Sequence, residues 1–119
     1  MKRVLIVDDE VALVKSMKNF FQFKGVDALI ALTGEEALEA LKKEEGIALV
    51  ITDVIMPGIS GIELLKRIKE MDPAIHVIVM TGMLSIENTV SSLQNGASDY
   101  LLKPFSSLDY VWEVVKGYL

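Results

Sequence analysis

The sequence predicts an α/β fold in which helices cover both faces of a parallel β-sheet, and three observations predict it. Apolar runs of strand length alternate five times with segments of helical period, the pattern of successive βαβ units. The first, third and fourth runs are nearly continuous Val, Ile and Leu, as expected of strands buried on both faces, which places them at the centre of the sheet. Charged residues close the first, third and fifth runs: Asp8 and Asp9 follow Val4-Leu5-Ile6-Val7, Asp53 follows Ala48-Leu49-Val50-Ile51-Thr52, and Lys103 follows Tyr100-Leu101-Leu102. In an open α/β sheet the carboxyl ends of the strands line one crevice, so these residues converge.

The elements follow in order. A strand over 3–7 leads into a helix over 10–24 whose Val14, Met17 and Phe21 recur at helical spacing, and Gly25 stops it. A strand over 26–31 precedes a helix over 34–44, opened by Thr33 and Glu36 in the spacing of a capping box. The strand over 47–52 is followed by a helix over 61–70, opened by Ser60 and Glu63, with Ile62, Leu65 and Ile68 facing inward. A strand over 75–81 gives way to a helix over 85–95 that Gly96 stops. Its stretch Asn88-Thr89-Val90-Ser91-Ser92 is poor in helix formers, so only Ile86, Val90 and Leu93 are expected to anchor it. It is the least stable helix expected and a candidate moving part. A strand over 98–102 and a helix over 107–118, with Leu108, Val111, Val115 and Leu119 on one stripe, complete the set.

With 119 residues and no segment of linker composition, the whole of 1–119 reads as one domain. A hydrophobic fraction of 51% argues against disorder. The apolar runs fall far short of the roughly 20 residues of a membrane span. Only four apolar residues separate Met1-Lys2-Arg3 from Asp8, too few for a secretory signal, so the expected location is the cytoplasm. There is no cysteine, which removes disulfides and thiolate chemistry and leaves oxygen or histidine as metal ligands. Twelve Lys and Arg against seventeen Asp and Glu give a net charge of -5, which disfavours direct nucleic-acid binding.

Three carboxylates pushed together raise one another's pKa unless a cation neutralises them, and oxygen ligands favour a hard one, Mg2+ or Mn2+. Mg2+ fits best, since it commonly takes one or two carboxylates and keeps its other positions for water or phosphate oxygens. A carboxylate is also a nucleophile toward phosphorus, so one of the three is a candidate acceptor. Thr81-Gly82 at the end of the fourth strand and Lys103 at the end of the fifth supply the hydroxyl, amide and ammonium donors that phosphoryl oxygens need. Taken alone, an Asp pair after a strand is more often a turn or helix cap. It is the company of Asp53, Thr81 and Lys103 that favours the metal.

The chain resembles, over its whole length, the receiver domain of two-component response regulators. The matching elements are Asp8-Asp9, Asp53 with Met56-Pro57-Gly58 and Gly61, Thr81-Gly82, and Tyr100 with Lys103-Pro104-Phe105, each at its proper strand end. The resemblance implies a flavodoxin-like doubly wound five-stranded parallel sheet of order 2-1-3-4-5 with five helices; a chemotaxis receiver is a standard example of that order. It implies that Asp53 accepts a phosphoryl group from a phosphohistidine on a sensor histidine kinase or phosphotransfer protein. Asp9, Asp53 and the carbonyl of Ile55 would bind Mg2+ directly and Asp8 through a water. Lys103, Thr81 and the amides of Ile55 and Gly82 would hold the phosphoryl oxygens. A cis peptide is implied at Lys103-Pro104. In such a domain catalysis extends only to its own phosphorylation and dephosphorylation.

The resemblance also implies a switch: Thr81 and Lys103 move toward the new charge, Tyr100 turns into the vacated space, and the face of the fourth helix, fifth strand and fifth helix repacks. Moving such an equilibrium from 1:99 to 99:1 takes about 5.5 kcal/mol. Several charge-assisted hydrogen bonds at roughly 1.5–3 kcal/mol each can supply it. That face would control an output domain or partner, or form a homodimer. Tyr110 and Tyr118 with Val114, off the main stripe of the last helix, are read as a candidate part of such a surface. The fourth helix carries no Lys or Arg, unlike the charged pattern of winged-helix regulators, and Met80-Thr81-Gly82-Met83 with Ala97-Ser98-Asp99-Tyr100 is closer to receivers of enhancer-binding regulators or hybrid kinases. A stand-alone regulator and the N-terminal part of a longer protein both fit the sequence.

Two rivals share parts of the pattern. A haloacid-dehalogenase-type phosphotransferase wants Asp-x-Asp after the first strand, where Asp8-Asp9-Glu10 stands, and room for a cap. A flavodoxin-like FMN module wants a Gly-, Ser- and Thr-rich loop there, and two carboxylates would repel its phosphate. Gly58 and Gly61 are read as turn residues, and His76, at the start of a strand opposite the acidic end, as structural or surface. The receiver resemblance places Ile55 and Met83 beside the acceptor, at positions that vary across the family; both are apolar and bulky, so they are expected to crowd attacking water and prolong the phosphoryl group's life.

Overall fold

The computed structural model describes residues 2–82 and 86–119. Five strands, β1 (Arg3–Val7), β2 (Asp27–Ala31), β3 (Ile47–Asp53), β4 (His76–Gly82) and β5 (Asp99–Lys103), alternate with α1 (Val11–Phe23), α2 (Gly34–Lys43), α3 (Gly61–Met71), α4 (Ile86–Gln94) and α5 (Leu108–Val115). All neighbouring strands are parallel, in the order β2-β1-β3-β4-β5. The three strands expected at the centre are the central ones. Leu5 lies between Leu29 and Val50 in register, and Met80 faces Leu101.

Side chains alternate across the sheet and feed two cores. Leu5, Val7, Val50, Val77 and Val79 pack with Ala37, Leu64, Leu65 and Ile68 of α2 and α3 on one face. Val4, Ile6, Leu49, Ile51, Ile78, Met80 and Leu101 pack with Val14, Met17, Phe21, Val111 and Val115 of α1 and α5 on the other. This period of two explains why the central strands read as unbroken apolar runs.

The helix ends follow local chemistry. The Thr33 and Ser60 hydroxyls accept from the Glu36 and Glu63 amides at 3.1 Å each. Glu36 reaches back one residue further than a standard capping box, accepting from Leu32 N at 2.7 Å. Gly25 and Gly96 take φ of 81° and 100°, and the amide after each closes onto a carbonyl of the last turn, Val26 to Phe21 and Ala97 to Ser92, both at 2.9 Å.

Three expectations need correction. In α3 Ile62 is only half-buried, while Leu64 is fully buried beside Leu65 and Ile68. In the last helix α-geometry stops at Val115 and tightens into a 3-10 turn over Lys116–Tyr118, leaving Leu108 and Leu119 half-buried. Tyr110, Val114 and Tyr118 are not a free patch: they are half-buried against the α1–α5 core. The Tyr110 hydroxyl accepts from the edge amide of Leu102 at 3.1 Å, and that of Tyr118 donates to Ser98 O at 3.1 Å.

The fourth helix differs most. Val90 and Leu93, two of its expected anchors, are 47% and 46% exposed, and Ser92 is its fully buried side chain among those described. A small residue lets the helix approach the sheet, and the Ser92 hydroxyl is satisfied by donating to Asn88 O at 2.6 Å. The expected helix start at Ser85 and the anchoring role of the Ile86 side chain lie outside the described residues. With so little apolar burial, α4 amides are expected to exchange with solvent faster than those of α3. Hydrogen exchange read by mass spectrometry checks this, and equal protection in the two helices would contradict it.

Candidate functional site

Three strands run one residue beyond their expected ends, so Asp53, Gly82 and Lys103 are the last strand residues of β3, β4 and β5. Asp8 and Asp9 follow β1. Paired register puts Asp53 opposite Met80 and Gly82 opposite Lys103, which brings all these ends to one edge of the sheet. One carboxylate oxygen from each of Asp8, Asp9 and Asp53 lies within 4.8 Å of the others. This donor set, oxygen only and partly buried, fits a hard divalent cation.

The three carboxylates are not equivalent. Asp8 is 1% exposed; its Oδ1 accepts from the Glu10 amide at 3.0 Å and its Oδ2 from Lys103 Nζ at 2.7 Å. Asp9 is exposed. Asp53 is half-buried, its Oδ1 accepting from the Val54 amide at 3.0 Å and its Oδ2 standing 3.6 Å from Lys103 Nζ. Burial, followed by the Asp8 charge, raises the Asp53 pKa above the usual carboxylate range despite the opposing pull of Lys103. Burial alone would lower the Lys103 pKa, but the hydrogen bond to Asp8 and the charges of Asp53, Asp8 and Glu10 outweigh it and raise it.

Thr81 is buried on β4, one residue past the partner of Asp53, with its hydroxyl 3.4 Å from Gly82 O. Tyr100 is half-buried on β5 against the α2–α3 core. Ile55 is 73% exposed two residues beyond Asp53, and the Lys103-Pro104 peptide is cis. Met83 lies outside the described residues. His76 stands at the opposite end of the sheet, exposed, with Nδ1 2.8 Å from Ser98 Oγ. Beside the acidic cluster a cleft of about 630 Å3 opens between α1 and the β5–α5 connection, lined by Glu10, Leu13, Ser16, Lys103, Pro104 and Phe105 among others.

Two residues carry more than their sequence reading. Gly58, with φ of 78°, is a turn residue as read, whereas Gly61 is the first residue of α3, buried and without a positive φ. Thr52, read only as part of a strand, is fully buried and donates to the Asp53 carbonyl at 3.0 Å. The sequence carried a signal for Gly61, a glycine at the first turn of a helix where most other residues would serve better; it carried none for Thr52.

The family profile described as the response regulator receiver domain matches residues 4–114. The transcriptional regulatory protein YkoG of Bacillus subtilis, itself uncharacterised, is 38% identical over 102 residues, covering 86% of this chain and 44% of YkoG. The transcriptional regulatory protein ZraR of Escherichia coli is 39% identical over 101 residues, covering 85% of this chain and 23% of ZraR. The chain thus spans less than half the length of the curated relatives it matches. Among solved structures, a response regulator receiver protein from Pseudomonas putida superposes with a TM-score of 0.90 at 32% identity, covering 98% of this chain and 96% of that one. No described helix is long and apolar enough to cross a membrane. A sheet of this order, a cluster of strand-end carboxylates beside a lysine and matches of this extent have one source: the chain belongs to the response regulator receiver domains of two-component systems.

Proposed function

We propose that residues 1–119 act as one receiver domain in which Asp53 takes a phosphoryl group from a phosphohistidine of a sensor histidine kinase or phosphotransfer protein. The observation that carries this reading is the meeting of Asp8, Asp9 and Asp53 with Lys103 at one edge of the sheet. An Asp53 carboxylate oxygen attacks phosphorus, the P–N bond to the imidazole breaks, and the departing nitrogen keeps the electron pair, leaving an acyl phosphate and a free histidine. Asp9, Asp53 and the Ile55 carbonyl would hold Mg2+, with Mn2+ as a substitute, and Asp8 would act through a water. The ion, when bound, neutralises the carboxylates and the incoming phosphoryl charge.

The chain's own groups do the rest. The Val54 amide orients Asp53, and Lys103, now 3.6 Å from Asp53, is placed to exchange part of its contact with Asp8 for a phosphoryl oxygen. Thr81 and the amides of Ile55 and Gly82 would take the remaining oxygens. The cleft beside Lys103 leaves room for a few side chains of the donor protein. Withdrawal of Thr81 and Lys103 toward the phosphoryl group, followed by Tyr100, would repack the face of α4, β5 and α5. Val90, Leu93 and Leu102, all exposed there, give that face an apolar surface for an output domain, a partner or a second copy. YkoG and ZraR are transcriptional regulatory proteins by name, which favours an output in transcription carried by another part of the protein or a partner, in the cytoplasm.

Incubation with acetyl phosphate and Mg2+ followed by intact mass tests the reading. A Mg2+-dependent gain of one phosphoryl group that maps to Asp53 is expected; no gain would overturn it. Ile55 tests the lifetime: Ile55→Asn should hasten loss of the phosphoryl group about threefold or more, equivalent to about 0.7 kcal/mol of barrier. An unchanged half-life would show that Ile55 does not shield the phosphoryl group from water.

A further inference from the structure

The connection from β3 to α3 leaves Asp53, loops outward through Ile55 and returns beneath it. At its return the Gly61 amide donates to Val54 O at 2.8 Å, closing the loop at its base. A Cβ at Gly61 would overlap the carbonyl oxygen of Asp53 and lie 2.9 Å from both the Asp53 carbonyl carbon and Val54 Cα. All three atoms are main chain, so no side-chain rotation can make room. Gly34 offers a contrast: a Cβ there would meet the side chain of Ile59, which can turn. Since Gly61 has no positive φ, space rather than backbone conformation excludes other residues from this position.

The same carbonyl is held from another side by the Thr52 hydroxyl at 3.0 Å. The next amide, Val54 N–H, is shared between Met80 O at 3.2 Å and the Asp53 carboxylate at 3.0 Å. A displacement of the Asp53 peptide therefore shifts the donor that orients its own carboxylate and loosens the β3–β4 ladder beside it.

We propose that Gly61 and Thr52 are positioning residues that hold the Asp53 main chain between them and so aim its carboxylate at the metal and the incoming phosphoryl group. The inference rests on the reading of Asp53 as phosphoacceptor and Mg2+ ligand. Neither residue touches the reacting atoms; both act through the peptide that carries them. Misplacement of a reacting group by about 1 Å can cost on the order of a hundredfold in rate.

The experiment compares wild type, Gly61→Ala, Thr52→Val and Val115→Ala, the last a cavity in the α1–α5 core remote from the site. Each is measured for urea stability, Mg2+ affinity by calorimetry, and phosphorylation rate by intact mass with acetyl phosphate. Gly61→Ala should lose roughly tenfold or more in both Mg2+ affinity and rate, and Thr52→Val roughly threefold in both. Val115→Ala should lose stability alone, which separates positioning from general destabilisation. If Gly61→Ala does not fold, Thr52→Val decides, since it only exchanges one hydroxyl for a methyl group of similar size. Wild-type affinity and rate in Thr52→Val, or equal losses in Val115→Ala, would overturn the proposal. A wild type that neither binds Mg2+ nor gains a phosphoryl group would instead overturn the phosphoacceptor reading, and this inference with it.

Discussion

Asp53→Asn is expected to accept no phosphoryl group and, without Mg2+, to be more stable than the wild type. The first half follows from chemistry: an amide is not a nucleophile toward phosphorus under conditions where a carboxylate is. The second follows from the site's charge. Burial and the neighbouring Asp8 raise the Asp53 pKa, so in the folded state this group binds a proton more readily than in the unfolded chain. Its contribution to stability therefore falls as pH rises from the ordinary Asp value through the raised folded one, and the penalty is fully present above that. Asn cannot titrate and escapes it, while its side-chain oxygen can still accept from Val54 N. At pH 7 the variant should melt above the wild type, and this gain should vanish below the ordinary Asp range. Mg2+ should reverse the ranking, since a ligand at a hundredfold excess over Kd adds about 2.7 kcal/mol to the form that binds it. Thermal melts at pH 7 and pH 3, with and without Mg2+, read all of this. A variant that melts below the wild type at pH 7 without the metal would show that the carboxylates are not in electrostatic conflict.

The sheet was legible because its signal is redundant. Each central strand has an unbroken apolar run at its middle, Val4–Val7, Ile47–Ile51 or Val77–Met80, and each run gives way to residues of unmistakable chemistry, Asp8-Asp9, Asp53 or Thr81-Gly82. The converging edge could be read for the same reason, since a parallel sheet leaves strand-end residues nowhere else to go. What failed depended on how closely two elements approach. Val90 and Leu93 looked like anchors of α4 by hydrophobicity, but the helix sits near enough to the sheet for Ser92 to fill the gap, and these two apolar residues are left exposed. Gly61 looked like a turn residue, yet it marks a contact between main chains whose partner, the Asp53 carbonyl, lies eight positions away in sequence and belongs to another element. The pairing of Lys103 with Asp8 was equally hidden, because the sequence places the lysine at the site without saying which of three carboxylates holds it.

That pairing sets the other large effect. Lys103→Met should lower stability by roughly 2 kcal/mol, about 8 °C in Tm, and should bind Mg2+ more tightly than the wild type. Asp8 is 1% exposed, and Lys103 is its ion-pair partner among the described residues. Removing one member of a fully buried pair costs about 3–5 kcal/mol; the lower figure allows for the partial exposure of Lys103 and for the Glu10 amide that Asp8 retains. The pH signature is distinct from that of Asp53. Contacts with Asp8 and Asp53 raise the Lys103 pKa, so its stabilisation is fully present below the ordinary lysine value and is lost as pH rises through the raised one. The difference between wild type and Lys103→Met should therefore be constant across neutral pH and shrink as the lysine loses its proton under alkaline conditions. The gain in Mg2+ affinity arises because the ammonium, 2.7 Å from Asp8 and 3.6 Å from Asp53, already neutralises part of the charge that a divalent ion would meet. Without it the three carboxylates are left to the metal alone, so saturating Mg2+ should recover more Tm in the variant than in the wild type. Calorimetric titration with Mg2+ and paired melts decide this, and weaker binding in Lys103→Met would mean that the lysine orders the carboxylates for the metal rather than competing with it.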